Sequence, residues 1–242
     1  MDGCRPFTPI GFSVENLMLA GIPEISAQRT LEGDAASGRE ALAALCRRAR
    51  AAGATVLRGA AHTLDPAHPL QVAPGEYSEE AFLGLDWAVA SAAAAGLRLS
   101  LSLADNWLYR ECGCLLMNTS KRKIIVPYTI NHPTAVHDSS IIKRAGGGAD
   151  EIVDWSPSVA ARDPAFPPLR FEGDLTAEKL GAAARAEYEE RRHARFFVDA
   201  GAKALYKAHV AAVLGRRNTF TGRLYRDEPA IFSFGARALL GV

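Results

Sequence analysis

Arg58 closes the apolar run Ala54-Thr-Val-Leu-Arg58, and Asn106-Trp107 directly follow a second run, Leu97 to Leu103. A guanidinium at a strand end can orient a carboxylate by charge-assisted hydrogen bonds; the competing role is a surface Arg at the sheet rim. A Trp face stacks on a sugar ring while an amide reads hydroxyls, against the alternative of a core anchor. Cys112-Gly-Cys114 with His132 and His137 offer zinc-ligand chemistry. Structural zinc wants roughly two to four residues between its cysteines, so no metal is expected. Gly146-Gly-Gly148 lacks the Lys-Ser/Thr that completes a phosphate loop. Asn118-Thr-Ser120 fits a glycosylation sequon, which matters only in a secreted chain. His209, at Ala208-His-Val210, reads as a structural histidine of a helix rather than a base. Asp65 with Asp105 has no spacing that makes a catalytic pair.

The elements that would position these residues alternate. Arg39 to Ala52 has helical character and ends at Gly53; Ala54 to Arg58 is a short strand; Gly59 to Pro74 is a loop. Ser78 with Glu79 and Glu80 resembles a capped helix start, and that helix runs through Phe82, Leu85 and Val89 to Gly96. Leu97 to Leu103 then alternates as a strand. Phe7 to Leu19 suits a first strand and its loop. Gly201 to Phe234 reads as a helix, a polar turn at Asn218 to Gly222 and a strand opening at Ala230-Ile-Phe232. Ala204, Leu205, Ala208, Ala211, Ala212 and Leu214 form its expected core stripe. Repeated helix-Gly-strand units point to an α/β fold with a parallel sheet.

The chain has 242 residues, 48% hydrophobic and 23% charged, with net charge +1. That composition suits a globular chain and gives no electrostatic case for nucleic acid or an anionic membrane. No apolar run approaches the roughly 20 residues that span a bilayer. Met-Asp-Gly-Cys-Arg-Pro lacks a signal-peptide pattern, which leaves a cytosolic chain or a shortened start and does not assign a location. Cys4, Cys46, Cys112 and Cys114 are too scattered for a disulfide framework. Residues 108–146 differ in composition: Ala is confined to Ala135 and Ala145, while Lys121, Lys123, Lys143 and a cluster of isoleucines appear. A structureless loop of that length inside a compact domain reads as an insertion. The expected organisation is 1–107 and 147–234 as two parts of one partial barrel, 108–146 as an irregular insertion and 235–242 as an unrelated tail.

The pieces in order resemble plant-like endo-β-1,4-mannanases of glycoside hydrolase family 5. Carrying residues are Gly11-Phe12, Val56-Leu-Arg58, Leu70-Gln71, Pro74-Gly-x-Tyr77, Phe82-x-Gly-Leu-Asp86, Gly96-Leu-Arg-Leu with Ser100-Leu-Ser-Leu, and Asn106-Trp107. Gly147-Gly148 with Val153-x-Trp155, Phe196-Phe197-x-Asp199 and Tyr206-Lys-x-His-Val210 follow. Asn218-Thr-x-Thr-Gly222 with Tyr225-x-Asp-x-Pro-x-Ile-Phe232 completes the resemblance. It implies a (β/α)8 TIM-barrel fold of which about the first four βα units are present. It also implies retaining cleavage of internal β-1,4-mannosidic bonds in mannans, without a cofactor, by two glutamates about 5–5.5 Å apart. The implied partner is β-mannan polysaccharide or a mannooligosaccharide. Family members carry the acid/base Glu in an Asn-Glu-Pro motif after the strand matching Ala230–Phe234, and the nucleophile near the seventh strand. Here the chain reads Phe234-Gly-Ala-Arg237, and Ala60 stands at the family's stacking Trp. No catalytic residue is therefore assigned. The chain is expected to be inactive as it stands, or a non-catalytic carbohydrate-binding remnant. Arg58, Asn106 and Trp107 are the expected substrate-binding residues.

Overall fold

The structure, a computed structural model, describes residues 6–14, 16–23, 25, 37–62, 68–104 and 196–235. These fall into two compact units. The first, drawn from residues up to Ala61, Glu79–Leu103 and the stretch from Val213 onward, carries a four-stranded sheet. Its strands are β1 (Gly11–Val14), β2 (Val56–Ala60), β5 (Arg98–Ser102) and β6 (Ile231–Gly235). They lie in the order β1-β2-β5-β6, every pair parallel. Chain order equals spatial order, as in consecutive strands of a (β/α)8 barrel. The α/β class and parallel sheet expected from the helix-Gly-strand repeat are present.

Three helices of this unit build its apolar layer. Helix α1 (Leu17–Ala20) is buried throughout, and the segment after β1 is thus a helical turn where a loop was expected. Helix α2 (Gly38–Ala51) starts at Ser37, whose hydroxyl accepts from the Glu40 N–H. Arg48 and Arg50 in its last turn complement the helix dipole. Helix α3 (Glu79–Ala94) buries Phe82, Leu85, Val89 and Ala92. Gly53 and Gly96, which follow α2 and α3, both take positive φ. Gly84 lets α3 meet α1 backbone to backbone: a Cβ there would lie 2.5 Å from the Met18 carbonyl oxygen. Leu97, Leu99, Leu101 and Leu103 are all essentially fully buried, so the alternation around β5 marks the helix-covered side of the sheet. Strand β2 begins at Val56 rather than Ala54 and extends to Ala60, past the expected end at Arg58.

The second unit contains an antiparallel ribbon, β3 (Gln71–Ala73) and β4 (Glu76–Tyr77), where Gly59 to Pro74 reads as loop from sequence. Three- and two-residue strands are too short to show a period. Most of helix α4 (Ala200–Gly215) belongs to this unit. Its buried positions are Ala202, His209 and Val213, whereas Ala204, Ala208 and Ala211 are exposed. The expected stripe is out of phase because Ala is small and tolerated on either face. His209 is wholly buried, consistent with a structural histidine. Phe196 and Ala202 form a small core against Leu205 and Tyr206.

One buried cluster fastens α3 to the chain leading into β6. The Asp86 carboxylate is fully buried. It accepts from Arg216 Nη2 at 2.7 Å, Thr219 N at 3.1 Å, Thr219 Oγ1 at 2.8 Å and the Tyr225 hydroxyl at 2.6 Å. Arg216 also forks onto the exposed Glu79 at 2.6 and 2.7 Å and stacks over Phe82. Burial lowers the Arg216 pKa, but the hydrogen bonds it donates to Glu79 and Asp86 outweigh it and hold the guanidinium charged. Burial, then the Asp86 charge, pushes the Tyr225 phenol well up. Asn218 donates to the Asp86 carbonyl at 2.9 Å and caps Phe220 N and Thr221 N, and Thr221 donates to Glu228 at 2.7 Å. The Asn218-to-Tyr225 motif is therefore a clasp.

Replacing one partner of a buried, hydrogen-bonded pair strands the other, at about 3–5 kcal/mol. Asp86→Ala is expected to lose that much stability in urea unfolding. Glu79→Ala, which removes an exposed partner, is expected to lose less than about 1 kcal/mol.

Candidate functional site

The face of the sheet opposite the leucines is polar. Strand register places Ser13, Arg58, Ser100 and Ser233 side by side across all four strands. The Ser233 hydroxyl donates to Ser100 Oγ at 2.8 Å. Pairing Ser233 with Ser100 needs the register shift after Leu99, which leaves Phe232 as the extra residue. Arg58, Ser100 and Ser233 are half-buried. Towards the strand N-termini, the Phe7 ring meets Phe232 at 5.2 Å and the Arg98 guanidinium at 5.1 Å. That aromatic-cation group lies on the strand N-terminal side of the polar rung. The ladder continues past the strand carboxyl ends through Ala61 N to Ser102 O at 2.8 Å and Leu103 N to Gly235 O at 2.9 Å.

Carboxyl ends of parallel barrel strands are where such folds keep their chemistry. The last strand residues here are Val14, Ala60, Ser102 and Gly235, none of them acidic. Arg58 is the one expected site residue that the structure describes, and it lies in the polar rung. Asn106 and Trp107 lie outside the described residues, as do Cys112, Cys114, His132, His137, Asp65, Asp105 and the insertion and tail segments. Among the described residues, no group of three His, Cys, Asp or Glu side chains could hold a metal ion. No helix among them is long and apolar enough to cross a membrane. Neither Ser100, which entered only as part of the Ser100-Leu-Ser-Leu motif, nor Ser233 was expected as a site residue. The signal for Ser100 was available, because the alternation that buries Leu99 and Leu101 turns Ser100 to the other face.

A family model described as glycoside hydrolase family 5 beta-mannosidase-like matches residues 48–237. The chain belongs to this family. Among its relatives, mannan endo-1,4-beta-mannosidase 1 of Arabidopsis thaliana is 26% identical over 220 residues, covering 91% of this chain and 37% of that protein. Mannan endo-1,4-beta-mannosidase 7 of the same plant is 28% identical over 182 residues, covering 75% of this chain and 28% of its own length. A mutant of the family 5 mannosidase from Rhizomucor miehei, solved in complex with mannosyl-fructose, superposes with a TM-score of 0.58 at 19% identity. That match covers 98% of this chain and 45% of the fungal one, and it shows the shared fold. The chain spans about a third of the length of the curated relatives it matches. The family 5 resemblance drawn from the motifs is thus established, and the four parallel strands are those of its (β/α)8 barrel.

The second unit holds a separate polar group. Tyr77 Oη lies 3.3 Å from His209 Nδ1, with the rings stacked at 5.8 Å. Burial pushes the Tyr77 phenol up to about 12. Burial, followed by His209, lowers the His62 pKa to about 4. An unfolded histidine titrates near 6.5, so between about pH 6.5 and 4 the unfolded chain binds a proton that the folded chain refuses. Stability from a neutral His62 is present above that window and lost as pH falls through it. Urea unfolding between pH 7 and 4.5 is expected to show a loss approaching about 1.4 kcal/mol per pH unit from this group. His62→Phe should flatten the slope by that amount.

Proposed function

We propose that this chain carries the first four strands of a barrel built for β-1,4-mannan. We further propose that these 242 residues by themselves hold β-mannan or mannooligosaccharides without cleaving them. The observation that carries the reading is the composition of the strand ends. Retaining cleavage needs an acid/base and a nucleophile, both carboxyl groups, about 5–5.5 Å apart. The four strand ends are Val14, Ala60, Ser102 and Gly235, and the sequence from Gly235 onward contains no Asp or Glu. The polar rung remains: one guanidinium and a hydroxyl pair midway along the strands of a family 5 sheet. Guanidinium and hydroxyl groups are the donors and acceptors that sugar hydroxyls require. Asn106 and Trp107 complete the proposed substrate contacts, Trp107 as a stacking face. Residues 108–146 are read as an insertion between the two barrel segments and are given no part in binding.

Calorimetric titration with β-1,4-mannotriose, alongside a reducing-sugar assay on soluble mannan, tests both halves. Binding is expected with no sugar released. Arg58→Ala should weaken binding about tenfold or more, because hydrogen bonds from a charged group contribute about 1.5–3 kcal/mol. Release of reducing sugar by purified chain would overturn the non-cleaving reading. Absence of heat at millimolar mannotriose would overturn the binding one.

A further inference from the structure

The sheet of the first unit has two outer edges. Among the described residues, no strand pairs with the far side of β1 or of β6. Edge strands are commonly blunted by charged residues or proline, and neither occurs within Gly11–Val14 or Ile231–Gly235. Gly11, Phe12 and Ser13 are exposed. Among the described residues of this unit four large apolar side chains are exposed, and three lie on or beside an edge strand: Ile10 at 58%, Phe12 at 47% and Phe232 at 46%. Phe12 is level with Leu57 and Leu99, both fully buried. One apolar row of the sheet is thus dry at its centre and wet at its β1 end.

We infer that two copies of this chain assemble through these edges, β6 of each against β1 of the other, into one eight-stranded barrel. Strand polarity selects a second copy as the occupant. All four strands are parallel, so the β6 edge of one copy meets the β1 edge of another in the polarity the sheet already has. Such a head-to-tail contact makes a ring when its rotation closes and an open filament when it does not. Eight parallel strands close a barrel of this kind, and two sheets of four supply them. On the side of the sheet that holds Phe12, β6 carries Ile231 and Phe234, level with Leu99 and Leu101. The joint therefore sets apolar side chains beside one another, as cross-strand pairs do. Barrels of this kind keep their sites at the mouth formed by the strand carboxyl ends, so the assembly does not depend on carbohydrate binding.

The test is the mass in solution of the 242-residue chain, by light scattering after size exclusion at micromolar concentration. Phe12→Asp and Phe220→Asp are measured beside it, with circular dichroism to establish folding. Phe220 is the exposed aromatic of this unit that lies on neither edge strand. The unmodified chain and Phe220→Asp are expected at the mass of two chains, and Phe12→Asp at the mass of one. Where Phe12→Asp does not fold, Ile10→Asp takes its place, with the same single-chain mass expected. A monomeric unmodified chain overturns the assembly, and higher polymers overturn closure at two copies. A dimer that survives Phe12→Asp, or is lost in Phe220→Asp, overturns the edge as its joint.

Discussion

The structure of the first unit depends on the solvation of one carboxylate. Asp86 is removed from water on the inner side of α3, and everything that replaces that water comes from residues 216–225. Such a pair is weak evidence for net stability, since desolvation can cancel the attraction. Its consequence is positional. Arg216, Thr219 and Tyr225 all donate to the carboxylate, and Asn218 ties the same turn to the Asp86 backbone. The next residues, the 3-10 turn Tyr225–Asp227 and Pro229, then deliver β6 to the free edge of β5. A shifted turn would deliver β6 in another register.

Register is what gives the polar face its content. Side chains alternate across a strand, so a one-residue slip would turn Ser233 away from Ser100. The irregularity at Phe232 absorbs one residue and restores the pairing of serine with serine. Arg58 therefore shares a rung with hydroxyls and not with leucines.

Local patterns were readable from the sequence, and long-range ones were readable only through family resemblance. The Leu97–Leu103 alternation, the Gly53 end of α2 and the motif order require only neighbours in sequence. The phase of α4 was misread because alanines carry no information about burial, while His209, read as a structural histidine, marks its buried side. The ribbon at 71–77 is too short to show a period. Asp86 and Arg216 are 130 residues apart, and nothing local in Phe82-x-Gly-Leu-Asp86 announces a buried anion. Arg58 was singled out as a strand-end residue, whereas β2 runs on to Ala60 and places it mid-strand. Ser100 was visible in the alternation but overlooked, since serine in a strand has no unusual chemistry.

The central claim is that the polar rung of this family 5 sheet binds β-1,4-linked mannose. Backbone-amide NMR of the chain titrated with β-1,4-mannotriose tests it most directly. The account predicts saturable shifts at Arg58, Ser100 and Ser233, with the Asp86 clasp unchanged. Saturating mannotriose that leaves all three amides unmoved would contradict it.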